Sequence, residues 1–247
     1  VNQTIEYFKY FNKENLANKM TGFYTLIIPI AFMLFTNYSW INETPDYYMS
    51  IVSAFWTFII LLSIFSGYGI ALLINRENGF LKVFSFISGS KTPIIIGKMF
   101  SQILYLFVVL FVFTVTIGFL FQLNVFLLTI NVILLAAVIS VPLSFLALVI
   151  PTLSVRQETI APAFMLVIVL LVNTVTFDFQ SSVINTIFTI INPAALTYDL
   201  SLLISDVVWN ASFDINQGIV ILIGIVIYIG IGLLIINRVG VTSLTQR

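Results

Sequence analysis

An all-α integral membrane fold is what this sequence predicts, and three observations predict it. Of 247 residues, 60% are hydrophobic and only 8% are charged, against the roughly 25% charged residues of soluble domains. The mean hydropathy is +1.11, more apolar surface than a water-soluble core of this size hides. The charge-free runs also have the right length. They fall at 22–39, 51–74, 99–121, 125–150, 160–177 and 218–236, and about 20 apolar residues rising 1.5 Å each cross the roughly 30 Å of bilayer hydrocarbon. The expectation is one membrane domain, 1–247, with six transmembrane helices.

The chain opens on residues 1–13, where Glu6, Lys9 and Lys13 line one helical face and Tyr7, Phe8, Tyr10 and Phe11 the other. That pattern predicts a helix lying in the membrane interface; a basic tail drawn to anionic lipid is the other reading. The first 20 residues lack a basic stub followed by an apolar run and a small-residue cleavage site, so no removable signal peptide is expected. After the second run comes RENGFLKVFSFISGSK, 76–91, with Phe80, Val83, Phe84 and Ile87 at i, i+3, i+4 and i+7. This is a short amphipathic helix, too charged to span and too apolar to float free. It suits the inner face of the membrane, against a docked protein or against lipid alone.

No charge occurs between Lys98 and Arg156, and Gln122, Leu123 and Asn124 form the turn of a tight hairpin between the third and fourth runs. Before the last run, Val183, Ile184, Ile187, Phe188 and Ile191 share a helical face, Asn192-Pro193 breaks it, and a second apolar stretch covers 194–204. Proline ends one helix and pushes the preceding residue out of the helical region. Two short extracellular re-entrant helices fit, since such structure is tolerated where protein buries it. Pro142 and Pro162 mark kinks or helix ends. Gly67, Gly69, Gly224, Gly230 and Gly232 suit close helix packing.

The basic residues orient the whole. With a cytoplasmic N-terminus, Lys9, Lys13, Lys19, Arg76, Lys82, Lys91, Lys98, Arg156, Arg238 and Arg247 all fall inside, while Glu43, Asp46, Asp178, Asp199, Asp206 and Asp214 fall outside. Lysine and arginine bias in short loops sets topology, so both termini are expected in the cytoplasm. A composition rich in Ile, Phe and Asn suits an AT-rich bacterial genome, and the bacterial cell membrane is the expected location.

What the chain lacks narrows its chemistry. Without Cys or His there is no thiol nucleophile, imidazole base, disulfide, or imidazole or thiolate zinc site. No catalytic residues, no metal site and no cofactor are expected in this chain. A net charge of zero gives no reason to expect nucleic acid. Gly89-Ser90-Lys91-Thr92 lacks the glycines of a phosphate loop, and no ionisable residue sits in any predicted span, as an ion-coupled carrier requires. The expectation is a transport pathway powered by another subunit, or not powered at all.

Two stretches give this more definition. Residues 76–98, with Glu77, Gly79, Pro93, Gly97 and Lys98 in order, and Asn192-Pro193-Ala194-Ala195-Leu196-Thr197-Tyr198 resemble elements of the type-2 ABC transporter permeases, membrane half-transporters that are mostly exporters. The resemblance extends over nearly the whole chain. It implies a coupling helix docked on cytoplasmic ABC ATPase subunits, with Arg76, Glu77 and Lys82 as polar contacts, Phe80, Phe84 and Ile87 as the packed face, and a smaller contact at Arg156, Gln157 and Glu158. For Glu77, solvation at a helix start or pairing with Lys82 is the plainer reading. ATP and Mg would belong to the partner subunit.

The resemblance also implies a second permease copy, identical or related, meeting this one around the first and fifth helices. Phe23, Met33, Thr36, Phe164, Asn173, Thr174 and Phe177 would then face the substrate path. For Asn173 and Thr174, hydrogen bonding to a neighbouring helix is an equal alternative. The implied substrate is apolar or amphipathic: a toxin or antimicrobial peptide, a drug or a lipid-like molecule. A lipid-linked polysaccharide is the alternative within the family, and an ATP-independent carrier or channel the alternative outside it.

Overall fold

In a chain this apolar the backbone N–H and C=O groups find few partners except one another, and helices satisfy them locally. The computed structural model describes residues 2–18, 22–41, 47–155, 157–177, 179 and 181–243. Every long element among them is a helix. Helix α1 is Asn2–Ala17. Helix α2, Phe23–Thr36, begins with a π-helical turn at Phe23–Ile27. Helix α3, Tyr48–Glu77, is π-helical in its middle, Leu62–Ile70. Helix α4 is Phe80–Ser88, α5 is Thr92–Leu120 and α6 is Val125–Ala147. Helix α7, Gln157–Asn173, is followed by α8, Ser182–Ile191, α9, Pro193–Asn210, and α10, Ile215–Ile236.

Four of these are long and apolar enough to cross a membrane: α3, α5, α6 with the 3-10 turn that follows it, and α10. An all-α protein suited to a membrane is thus what the chain forms. The expected first and fifth crossings are shorter. The apolar helices Phe23–Thr36 and Ile160–Asn173 have 14 residues each, a rise of about 21 Å, below the hydrocarbon thickness. Helices α3, α5 and α10 begin before their apolar stretches, because hydropathy marks where charges stop and not where backbone bonding stops. Thus α3 takes in Arg76 and Glu77, and α5 begins at Thr92 with Pro93 in its first turn, where the missing N–H costs nothing.

Helix α6 is the hub, packing against α3, α5, α9 and α10. The expected hairpin is present: α5 ends at Leu120, Gln122 takes a positive φ of 55°, and the Asn124 side chain accepts from the Leu127 N–H to start α6. Several polar groups inside the core meet in neutral pairs. Trp56 Nε1 donates to Thr114 at 2.9 Å, Gln102 Nε2 to Ser63 at 2.8 Å, and Ser201 to Ser53 at 2.9 Å. Gly67 and Gly69 sit against Gln102 and Ala147, and Gly224 and Gly232 against Leu196 and Phe145; Gly230 meets nothing. Pro142 and Pro162 lie inside α6 and α7 rather than at their ends.

The Asn192-Pro193 break is real, and α8 and α9 meet at 105°. Asn192 caps α9, its side chain accepting from Ala194 N–H at 2.9 Å, with Pro193 at the first helical position. The second piece is longer than the apolar stretch 194–204 suggests. It continues to Asn210 and is buried against α3 and α6. Tyr228 of α10 ties the pair down by donating to the Ile190 carbonyl at 2.9 Å.

Candidate functional site

The described basic residues gather at one end of the helices. There α1 crosses α5, the C-terminal end of α3 meets the turn after α6, and the chain after α10 returns to both. Gly97 permits the first of these crossings. A Cβ on it would lie 2.8 Å from Tyr7 Cβ and 3.0 Å from the Phe8 nitrogen. One position on, the Lys98 ammonium lies 3.1 Å from Glu14 and 4.7 Å from the Phe11 ring centre. The Gly97-Lys98 pair of the sequence is therefore a docking point for α1. Asn12 and Asn15 complete it through Ser101, at 2.9 and 3.1 Å.

Arg76 and Glu77 are bonded to each other and turned inward. Arg76 is 0% exposed: its Nε donates to Glu77 at 2.8 Å, Nη2 to Glu77 and to the Leu153 carbonyl at 2.8 Å, and Nη1 to the Pro151 carbonyl. Glu77 accepts in turn from Ser243. The expectation of two outward polar contacts is corrected by this geometry, as are the readings of Glu77 as solvated or paired with Lys82. Charges so deeply placed need partners, and they find them in carbonyls freed by the 3-10 turn Ile150–Thr152. The pair is a clamp joining α3, the turn after α6 and the chain near Ser243. Close by, Lys91 donates to the Asn237 and Val239 carbonyls, a cation at the C-terminus of α10. Burial lowers the Lys91 pKa.

Helix α4 hangs from this clamp between Gly79 and Gly89, both left-handed with φ of 77° and 70°, a conformation that glycine adopts without strain. Its expected apolar stripe divides. Leu81 is buried with Phe11 and Ile94, and Phe84 packs on Tyr7 and Tyr10 with ring centres 5.6 and 5.7 Å apart. Phe80, Val83, Phe86 and Ile87 point away from the protein, Phe86 90% exposed, with Lys82 exposed beside them. Leu81 and Phe86 fall outside the i, i+3, i+4, i+7 spacing, which placed Phe80, Val83, Phe84 and Ile87 on one face. Arg156 lies outside the described residues, as does the Glu158 side chain.

The seven expected path residues scatter. Met33 is 0% exposed, sealed in the core. Phe164 is half-buried over a small apolar cavity of about 220 Å³. Thr36 donates to Phe32 and Asn173 to Val169, each within its own helix at 2.8 and 2.7 Å. Thr174 accepts from Asn192 at 3.0 Å, an inter-helix link of the kind that competes with a substrate contact. Phe23 is exposed at the start of α2, and Phe177 just past the turn after α7.

A larger cavity lies at the basic end, about 530 Å³, between α1, α2, α3, α5 and α7. Glu14, Lys98, Ser63 and Gln102 supply polar groups, and Ile28, Leu62 and Met165 apolar wall. Both π-helical segments reach it, through Tyr24 and Thr25 and through Leu62, Ser63, Ser66 and Gly67. π-Helical turns are rare and concentrate at functional sites. Sequence reasoning missed this cavity because π geometry leaves no mark in a hydropathy pattern. Among the described residues no cluster of Asp and Glu is arranged to hold a metal ion. Comparison with family models, with curated proteins and with solved structures gives no match in any of the three.

Proposed function

We propose that this chain is the membrane-spanning permease subunit of a bacterial ABC exporter, working as a pair of copies or with a related permease, and driven by ATP hydrolysed on separate cytoplasmic subunits. The observation that carries the reading is α4. A short helix stands at the basic end with four large apolar side chains, Phe80, Val83, Phe86 and Ile87, facing outward beside Lys82. Behind it the Arg76–Glu77 clamp fixes its root. A face of this kind suits a groove on another protein, and a stiff root suits transmission of a push.

The pairing surface fits the same reading. Helices α2 and α7 flank α3, and both leave apolar residues uncovered, among them Phe32, Phe35, Leu166 and Leu170. In this reading they complete the first and fifth of six crossings, with the basic end and both termini in the cytoplasm. The substrate is apolar or amphipathic; a peptide, a drug and a lipid-like molecule fit better than a lipid-linked polysaccharide, which needs a more polar path.

Purified from its native membrane, the chain should carry an ATP-binding-cassette subunit, and Phe86→Asp with Ile87→Asp should release that subunit without disturbing the helix content. Transport by the chain alone, with no nucleotide-driven partner, overturns the reading in favour of a carrier or channel. The orientation has its own test, since the chain has no native Cys. Ser182→Cys should react with a membrane-impermeant maleimide from outside the cell, and Ser88→Cys only after lysis; the reverse pattern inverts the topology.

A further inference from the structure

The cavity at the basic end carries a charge arrangement that selects among amphiphiles. Lys98 is buried, 2% exposed, yet among the described residues its ammonium makes one hydrogen bond, to Glu14 Oε2. An ammonium has three N–H groups, and a buried donor without an acceptor is costly. Glu14 is about half exposed, its side chain at 45%, and its second oxygen is not engaged by Lys98. One wall of the cavity thus presents a cationic donor and an anionic acceptor side by side. Ser63, Gln102 and Asn15 extend the polar patch, while Ile28, Leu62 and Met165 continue it as apolar surface.

A ligand with only negative charge meets Glu14, and one with only positive charge meets Lys98. A head group carrying both, an ammonium next to a phosphate, satisfies the pair by aligning against it. The volume of about 530 Å³ falls within the range of small-molecule sites and holds such a head with the first methylenes of its chain. The rest of the chain lies along the apolar wall toward α2 and α7. We propose that this cavity binds a zwitterionic lipid-like amphiphile by its head group, with Lys98 and Glu14 as the paired contacts and the two π-helical segments as the walls that shape it. The proposal deepens the exporter reading by naming the substrate class, and rests on it only for the claim that the bound molecule is then moved.

The test is equilibrium binding to the purified full chain in detergent, without nucleotide and without any partner subunit. Three probes share one fluorescent acyl chain: lysophosphatidylethanolamine, lysophosphatidylglycerol and monoacylglycerol. The first should bind saturably and at least about tenfold more tightly than the other two, the difference that one charge-assisted hydrogen bond supplies. Met165→Trp, which fills the cavity from the partly exposed face of α7, should abolish that binding while leaving thermal stability unchanged. Lys98→Met should erase the preference between the zwitterionic and the neutral probe, and Glu14→Gln should narrow the gap between the zwitterionic and the anionic one. Equal affinity for all three probes overturns the proposal, as does undiminished binding by Met165→Trp. Saturable binding of a free-ended amphipathic peptide with none of the lipids also overturns it. Binding as expected, in a chain with which no ATP-binding-cassette subunit copurifies from the native membrane, leaves the site standing and removes the exporter reading; copurification of that subunit with equal affinity for all three probes does the reverse.

Discussion

The basic end of this molecule and its middle solve one problem with different chemistry. In the middle, buried polar side chains meet as neutral pairs such as Trp56 with Thr114 and Ser201 with Ser53. At the basic end, buried charges are present as well: Arg76 with Glu77 inside the clamp, and Lys98, paired with the half-exposed Glu14, under α1. Neutral pairs between helices in a membrane contribute modestly, about 0.6 kcal/mol on average. A buried ion pair adds little net stability, yet breaking it leaves an uncompensated charge. The middle is therefore tolerant, and the basic end is sensitive to single changes.

That contrast breaks first at the clamp. Arg76→Met should destabilise the protein by about 3–5 kcal/mol, because Glu77 stays buried without the Arg76 guanidinium; thermal unfolding in detergent reads this as a large fall in midpoint. Arg76→Met with Glu77→Met should recover much of the loss, and a double variant as unstable as the single one removes the ion pair as the cause. Next comes Gly97→Val, whose side chain cannot share space with Tyr7 and Phe8. Overpacking of this kind costs about 1–3 kcal/mol, and limited proteolysis should find α1 released while the other helices stay protected. Asn192→Ala removes an N-cap and the link to Thr174, a loss of about 1 kcal/mol. Ser201→Ala should be the smallest, about 0.6 kcal/mol; a loss as large as that of Arg76→Met would erase the distinction between the two regions.

The same contrast explains what was legible beforehand. Apolar runs and the Gln122-Leu123-Asn124 turn follow from solvation and local backbone chemistry, and α3, α5, α6 and α10 stand where those runs lie. Asn192-Pro193 announced its break for a local reason too. Arg76 and Glu77 misled because solvation was assigned from residue type, whereas their surroundings are set by Pro151, Leu153 and Ser243, distant in sequence. Burial of Met33 was hidden in the same way: an apolar residue on an apolar helix gives no sign of whether lipid, a path or the core lies beside it. The amphipathic stripe of α4 was visible, but not that Leu81 and Phe84 turn toward α1 while Phe86 turns away. The reach of α9 to Asn210 was hidden because Ser205 and Asp206 interrupt its apolar run before Val207, Val208 and Trp209 resume it.

The π-helical stretch Leu62–Ile70 carries a consequence for how α3 behaves as a rod. Each π turn holds an extra residue relative to α-helical winding, and moving such a bulge along a helix turns the residues it passes by roughly 100° each. Below the stretch, α3 is bolted to its neighbours through Arg76. Above it, Trp56 and Ser53 anchor the helix to α5 and α9. Between those anchors Ser63, Ser66 and Gly67 of the stretch line the cavity, with Ser63 held by Gln102 at 2.8 Å. The shape of that chamber is thus geared to the winding of a single helix, as a key's bite is to its shaft.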